Sequence, residues 1–243
     1  MRLDSTPLTE ALRAPQREMA LVAYVVAGYP SRAAFPDVLS AVAQVADAIE
    51  VGVPFTDPMA DGVSIQRASE AALADGTDLP YILETVANCS RPVALMGYLN
   101  PFLAGGPDLA SDLASANVRA LIVPDLPLEE RDVLDGVPLV QLVTPLTPEG
   151  RIGALCDATA GFIYAVTGLS TTGTKSDLHQ TPDTLARIRP HAQHPVLAGF
   201  GIRSATQVRA LRGLCDGVIV GSALVDAIGR DEDPVDTLNA LHA

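Results

Sequence analysis

Short aliphatic and β-branched runs recur along the chain, separated by stretches in which apolar residues return every three or four positions. The runs are Leu21–Ala27, Ala48–Val51, Val93–Met96, Ala120–Val123, Val137–Val143, Phe162–Val166, Val196–Ala198 and Gly217–Val220. The helical patterns are Pro36–Val45, Ser64–Ala74, Pro80–Ala87, Pro107–Ala114, Leu128–Leu134, Thr181–Ile188, Ala205–Leu211 and Ala223–Ile228. Near-continuous apolar strands separated by helices predict a parallel sheet covered on its outer side by helices. Eight such units predict a closed (β/α)8 TIM barrel in one α/β domain spanning 1–243, whereas six would favour an open doubly wound sheet. No GxGxxG follows the first run, which weakens the dinucleotide-binding alternative. Leu8 and Leu12, four apart within Met1–Arg17, predict an extra N-terminal helix capping the barrel bottom.

Composition narrows the function classes. Of 243 residues 48% are hydrophobic and 19% charged, as expected of a compact fold. The net charge of −13 argues against a nucleic-acid surface or an anionic membrane as partner. An anionic substrate must then be held by local donors. Cys89, Cys156 and Cys215 are far apart and form no CxxC, so they read as reduced thiols of a cytoplasmic protein. Met1–Glu18 has no apolar h-region, so no secretory signal is expected, and Met19–Ala27 is too short to span a bilayer.

The segment Ile49-Glu50-Val51-Gly52-Val53-Pro54-Phe55-Thr56-Asp57-Pro58-Met59-Ala60-Asp61-Gly62 carries the candidate chemistry. It places Glu50 at an expected strand end and two further carboxylates, Asp57 and Asp61, in the loop beyond. A glutamate at an inward strand position is expensive unless something uses it. The plain alternative is a strand, a proline turn and a capped helix with solvated acids. Gly199-Phe200-Gly201-Ile202-Arg203 and Val220-Gly221-Ser222-Ala223 follow the last two runs and each opens a helix. Barrels often bind phosphate at these two loops, where glycine lets amides approach an anion. Ser222 can donate its hydroxyl to that anion or simply cap its helix. Lys175, the only lysine, lies in the polar loop Thr171–Asp177 and not at a strand end, as a Schiff-base aldolase would require. The four histidines are poorly placed to converge on a metal. Acid–base chemistry without a cofactor remains.

The Glu50 to Gln66 segment closely resembles the signature loop of the tryptophan synthase alpha chain family. The resemblance extends to Ala27-Gly28-Tyr29-Pro30, Leu95-Met96-Gly97-Tyr98-Leu99-Asn100-Pro101, Pro124-Asp125-Leu126-Pro127-Leu128-Glu129-Glu130, Thr144-Pro145-Leu146-Thr147-Pro148 and the two glycine clusters. It implies a lyase that cleaves indole-3-glycerol phosphate to indole and glyceraldehyde 3-phosphate by a retro-aldol reaction. Glu50 matches the family's catalytic glutamate, Asp61 the aspartate that pairs with the indole N–H, and Tyr164 the active-site tyrosine of strand 6. Tyr24, Leu99 and Phe200 would line the indole pocket, although core filling is an equally plain role for Tyr24 and Tyr164. Thr172 would hydrogen-bond Asp61. Gly173, Gly201, Gly221 and Ser222 would hold the phosphate. The implied partner is a PLP-dependent tryptophan synthase beta chain in an α2β2 tetramer. After strand 6 the family usually carries Gly-Val-Thr-Gly, where this chain reads Ser170-Thr171-Thr172-Gly173. That departure keeps two other readings in view: a standalone lyase releasing free indole, and a weakly active barrel that binds a phosphorylated ligand.

Overall fold

Both faces of β1 (Ala20–Val26) are buried along its whole length, so its side chains serve two cores at once. Ala20, Val22, Tyr24 and Val26 point inward, while Leu21, Ala23 and Val25 join the layer between sheet and helices. The same holds around the sheet. In the computed structural model, which describes residues 3–167 and 180–242, the strands are β1, β2 (Ala48–Gly52), β3 (Val93–Met96), β4 (Val118–Ile122), β5 (Leu139–Val143), β6 (Ile163–Val166), β7 (Val196–Gly199) and β8 (Gly217–Val220). Each pairs in parallel with the next, and β8 pairs with β1, which closes the barrel. This is the predicted TIM-barrel architecture.

The helices, in chain order, are α1 (Thr6–Arg13), α2 (Phe35–Val45), α3 (Val63–Ala74), α4 (Leu79–Val86), α5 (Leu99–Leu103), α6 (Leu109–Ser115), α7 (Glu149–Ala158), α8 (Thr181–Ile188), α9 (Ala205–Leu211), α10 (Ser222–Gly229) and α11 (Pro234–His242). Helix α1 closes the bottom as expected. Leu8 and Leu12 are almost fully buried in the inner cluster with Ala20 and Phe162. Thr9 Oγ1 donates to the Gly161 carbonyl at 2.9 Å, fixing the plug to the turn before β6.

Three differences from the sequence reading have local causes. Leu128–Leu134, expected as an α-helix, is a 3-10 helix between Pro127 and Gly136. Helix α7 was not anticipated: only Ile152, Leu155 and Cys156 are buried, and two glycines blur its pattern. Strand β5 starts at Leu139 and not Val137, because Val137 donates its N–H to the Leu134 carbonyl and so belongs to the preceding turn. The three cysteines are free thiols, two of them buried. Among the described residues no helix is long and apolar enough to cross a membrane.

Candidate active site

Glu50 is the third residue of β2, two places short of the strand end at Gly52 and not at the strand end expected for it. Its register partners are Tyr24 on β1 and Ala94 on β3. The pleat therefore turns its carboxyl into the barrel, where it is completely buried and neither oxygen makes a hydrogen bond among the described residues. Burial, helped by the nearby Asp61 carboxyl, raises its pKa to about 8. A carboxyl in this condition keeps its proton at neutral pH, so it can give one and take one back.

Asp61 comes from the loop between β2 and α3. Burial raises its pKa to about 6, against the opposing effect of a hydrogen bond from Tyr98. Tyr98 Oη donates to Asp61 Oδ2 at 3.4 Å and accepts from the Ala60 amide at 2.8 Å. Its ring stacks on Phe55, with centroids 5.0 Å apart. Gln66 Nε2 donates to the Asp61 carbonyl at 2.9 Å. One tyrosine on the β3 side thus pins the loop at both its ends. Sequence reasoning missed it: Tyr98 stood in a quoted motif, but its partners lie on another loop.

Tyr164 rises from the inner face of β6 between Phe162 and Phe200, at centroid distances of 6.0 and 5.4 Å. Its hydroxyl occupies the space a side chain on Gly199 would need, 2.5 Å from the Cβ position. Burial first, then the Glu50 carboxyl, holds its phenol well above the usual tyrosine range. Tyr24 enters from β1 with similar burial.

Glu50, Asp61, Tyr24 and Tyr164 line a narrow cleft at the C-terminal mouth, together with Phe200, Gly201, Gly221 and Ser222. Phe200 and Gly201 both have positive φ, +69° and +91°, so the chain turns sharply over the cleft. Thr167 secures that turn by donating from its hydroxyl to the Gly199 carbonyl at 2.8 Å and to the Phe200 carbonyl. Gly221 caps α10, and Ser222 is its first, nearly buried residue. The free amides and dipole of α10 therefore open beside two glycines, an arrangement suited to an anion. No lysine, arginine or histidine lines the cleft among the described residues.

The structure does not bring every expected residue here. Leu99 opens α5, its amide bound to Asp125 Oδ1 at 2.9 Å, and its side chain packs on the outer core and not in the cleft. Thr172 and Gly173 lie outside the described residues. No group of three or more His, Cys, Asp or Glu side chains that could hold a metal ion occurs among the described residues.

The sequence model of the family described as "Tryptophan synthase alpha chain" matches residues 10–242. The tryptophan synthase alpha chain of Xanthomonas oryzae pv. oryzae (strain MAFF 311018) is 43% identical over 237 residues, covering 91% of this chain and 88% of that protein. That of Roseiflexus castenholzii is 42% identical over 231 residues, covering 89% and 88%. Among solved structures, Mycobacterium tuberculosis tryptophan synthase superposes with a TM-score of 0.86 at 34% identity, covering 99% of this chain and 97% of that one. A chain of the α2β2 tryptophan synthase complex of Pyrococcus furiosus gives 0.83 at 30%, covering 100% and 99%. With a matched sequence model over nearly its whole length and the same closed barrel, the chain belongs to the tryptophan synthase alpha chain family.

Proposed function

We propose that this chain cleaves indole-3-glycerol phosphate to indole and glyceraldehyde 3-phosphate, a carbon–carbon (aldehyde) lyase reaction run by side-chain acids and bases. The indole ring lies against Tyr24 and Phe200, and the phosphate faces the amides of Gly201, Gly221 and Ser222. Glu50, protonated at rest, delivers its proton to indole C3. Positive charge then develops on the ring nitrogen, and the Asp61 carboxylate pairs with the indole N–H to stabilise it. The Glu50 carboxylate next takes the proton of the C3′ hydroxyl. The C3–C3′ bond breaks, its electron pair restores the aromatic indole, and C3′ becomes the aldehyde. Proton and electron pair are both accounted for, and Glu50 ends as it began. Tyr164 packs beside Glu50 and keeps water from it.

The observation that carries this reading is Glu50 itself: a fully buried carboxyl, without a hydrogen-bond partner among the described residues, whose proton is held to about pH 8 beside a second carboxyl. A structural core would place an apolar residue there. A general acid–base group contributes rate factors on the order of 10² or more. Glu50→Gln should therefore reduce indole release by at least about that factor while substrate binding survives. A Glu50→Gln protein with near-normal release would refute the assignment.

The partner reading is the PLP-dependent tryptophan synthase beta chain, in an α2β2 tetramer. Its support is the mouth loop, where Pro54, Phe55, Asp57 and Pro58 form a semi-rigid rim and Met59 is 84% exposed. Large exposed apolar groups beside an active-site mouth suit docking. Calorimetric titration with the beta chain from the same source should show association; no heat and no change in indole release would count against it.

A further inference from the structure

The place of the Tyr24 hydroxyl is set by missing side chains. Tyr24 and Glu50 are register partners, so they start side by side on the inner face of the barrel. Gly52 is the next inward position on β2, about 7 Å further toward the mouth. A Cβ on Gly52 would lie 2.2 Å from Tyr24 Oη and 2.8 Å from Cζ. The phenol therefore crosses from β1 to β2 and ends on the mouth side of Glu50. On its other flank, a Cβ on Gly221 would meet the ring at 3.2 Å. Two glycines thus form a slot for a flat ring. Phenylalanine would fill such a slot equally well, so the hydroxyl needs its own explanation.

Glu50 supplies one. Among the described residues its two oxygens are buried and make no hydrogen bond, yet in the proton-transfer cycle proposed above it must spend part of each turnover ionised. Charge without a donor in such a place is costly. The titratable groups facing it are Tyr24 from β1, Tyr164 from β6 and Asp61 from the loop beyond β2, with Tyr98 behind Asp61. Ala94 on β3 contributes none. The Tyr164 hydroxyl is drawn toward Gly199. Tyr24 is the phenol that stands beside Glu50, as its register partner on the adjacent strand, and its proton is held tightly by burial and by the carboxyls of Asp61 and Glu50, so it stays a donor throughout.

We propose that Tyr24 is a positioning residue whose hydroxyl donates a hydrogen bond to the Glu50 carboxylate once it has given up its proton. This rests on the reading of Glu50 as proton carrier. A donor to the charged form favours it, so removing the hydroxyl must push the carboxyl titration upward. The test is a pH titration of the carboxyl infrared bands in the unmodified protein and in Tyr24→Phe, with Glu50→Gln assigning the Glu50 band, alongside the pH profile of indole release. In Tyr24→Phe the Glu50 titration and the alkaline limb of kcat should both move up by about half a unit to one unit. KM should stay within about two-fold. A Glu50 band that titrates at the same pH in both proteins overturns the proposal, as does a change confined to KM or stability. Failure of the lyase reading would appear separately, as undiminished indole release by Glu50→Gln, and would leave the infrared comparison intact.

Discussion

A buried carboxyl that keeps its proton to about pH 8 ties the stability of the barrel to pH. The Glu50 side chain titrates near 4.5 when unfolded and higher when folded. Between those values the native state holds a proton that the unfolded chain releases. Stability contributed by this group is therefore full below about pH 4.5 and declines as pH rises, by up to about 1.4 kcal/mol per unit, levelling above the folded value. Glu50→Gln has nothing to ionise and should flatten that decline. Urea midpoints at intervals from pH 5 to pH 8 check this: the two proteins should diverge as pH rises, and parallel curves would contradict it. At this scale the sequence was informative about the acids and silent about their companions. Glu50 and Asp61 stand out because carboxylates are rare in apolar strands and glycine–proline loops. Tyr98 and Thr167 acquire their roles only when loops far apart in sequence meet.

The strands β1 to β8 were legible because both their faces are buried, which makes them unbroken apolar runs. Where a strand carries a polar residue, its edge was lost: β4 begins at Val118, ahead of the half-buried Arg119. Helices with little apolar pattern, such as α7, were missed for the same reason. The turns at the mouth are fixed by glycine, and there sequence and geometry agree. Gly52→Ala would drive a methyl into a rigid, buried ring. We expect it to cost about 1–3 kcal/mol in thermal or urea unfolding and to lower activity by displacing Tyr24. Gly201→Val would place a β-branched residue at a φ of +91°, in a conformation such residues avoid. Indole-release kinetics should show KM rising far more than for Cys215→Ser, a buried thiol in the outer core. Equal KM values would argue that the phosphate binds elsewhere.

At the scale of the molecule, the barrel divides its labour between a closed bottom and an open mouth. Leu8 and Leu12 of α1 fill the lower end, and the cleft occupies the other. Leu12→Ala should cost about 2–5 kcal/mol in unfolding experiments. Because Leu12 is remote from the cleft, it should leave kcat within about two-fold while the fold holds; a large loss of kcat in folded protein would mean that the plug and the mouth are coupled. The most direct measurement is single-turnover release of indole from indole-3-glycerol phosphate by the purified chain, with Glu50→Gln and Asp61→Asn run in parallel. We expect release by the unmodified chain, a loss on the order of 10² or more in Glu50→Gln, and a clear reduction in Asp61→Asn, with substrate still bound by both. Release that persists undiminished in Glu50→Gln would contradict the role of Glu50 as the proton carrier.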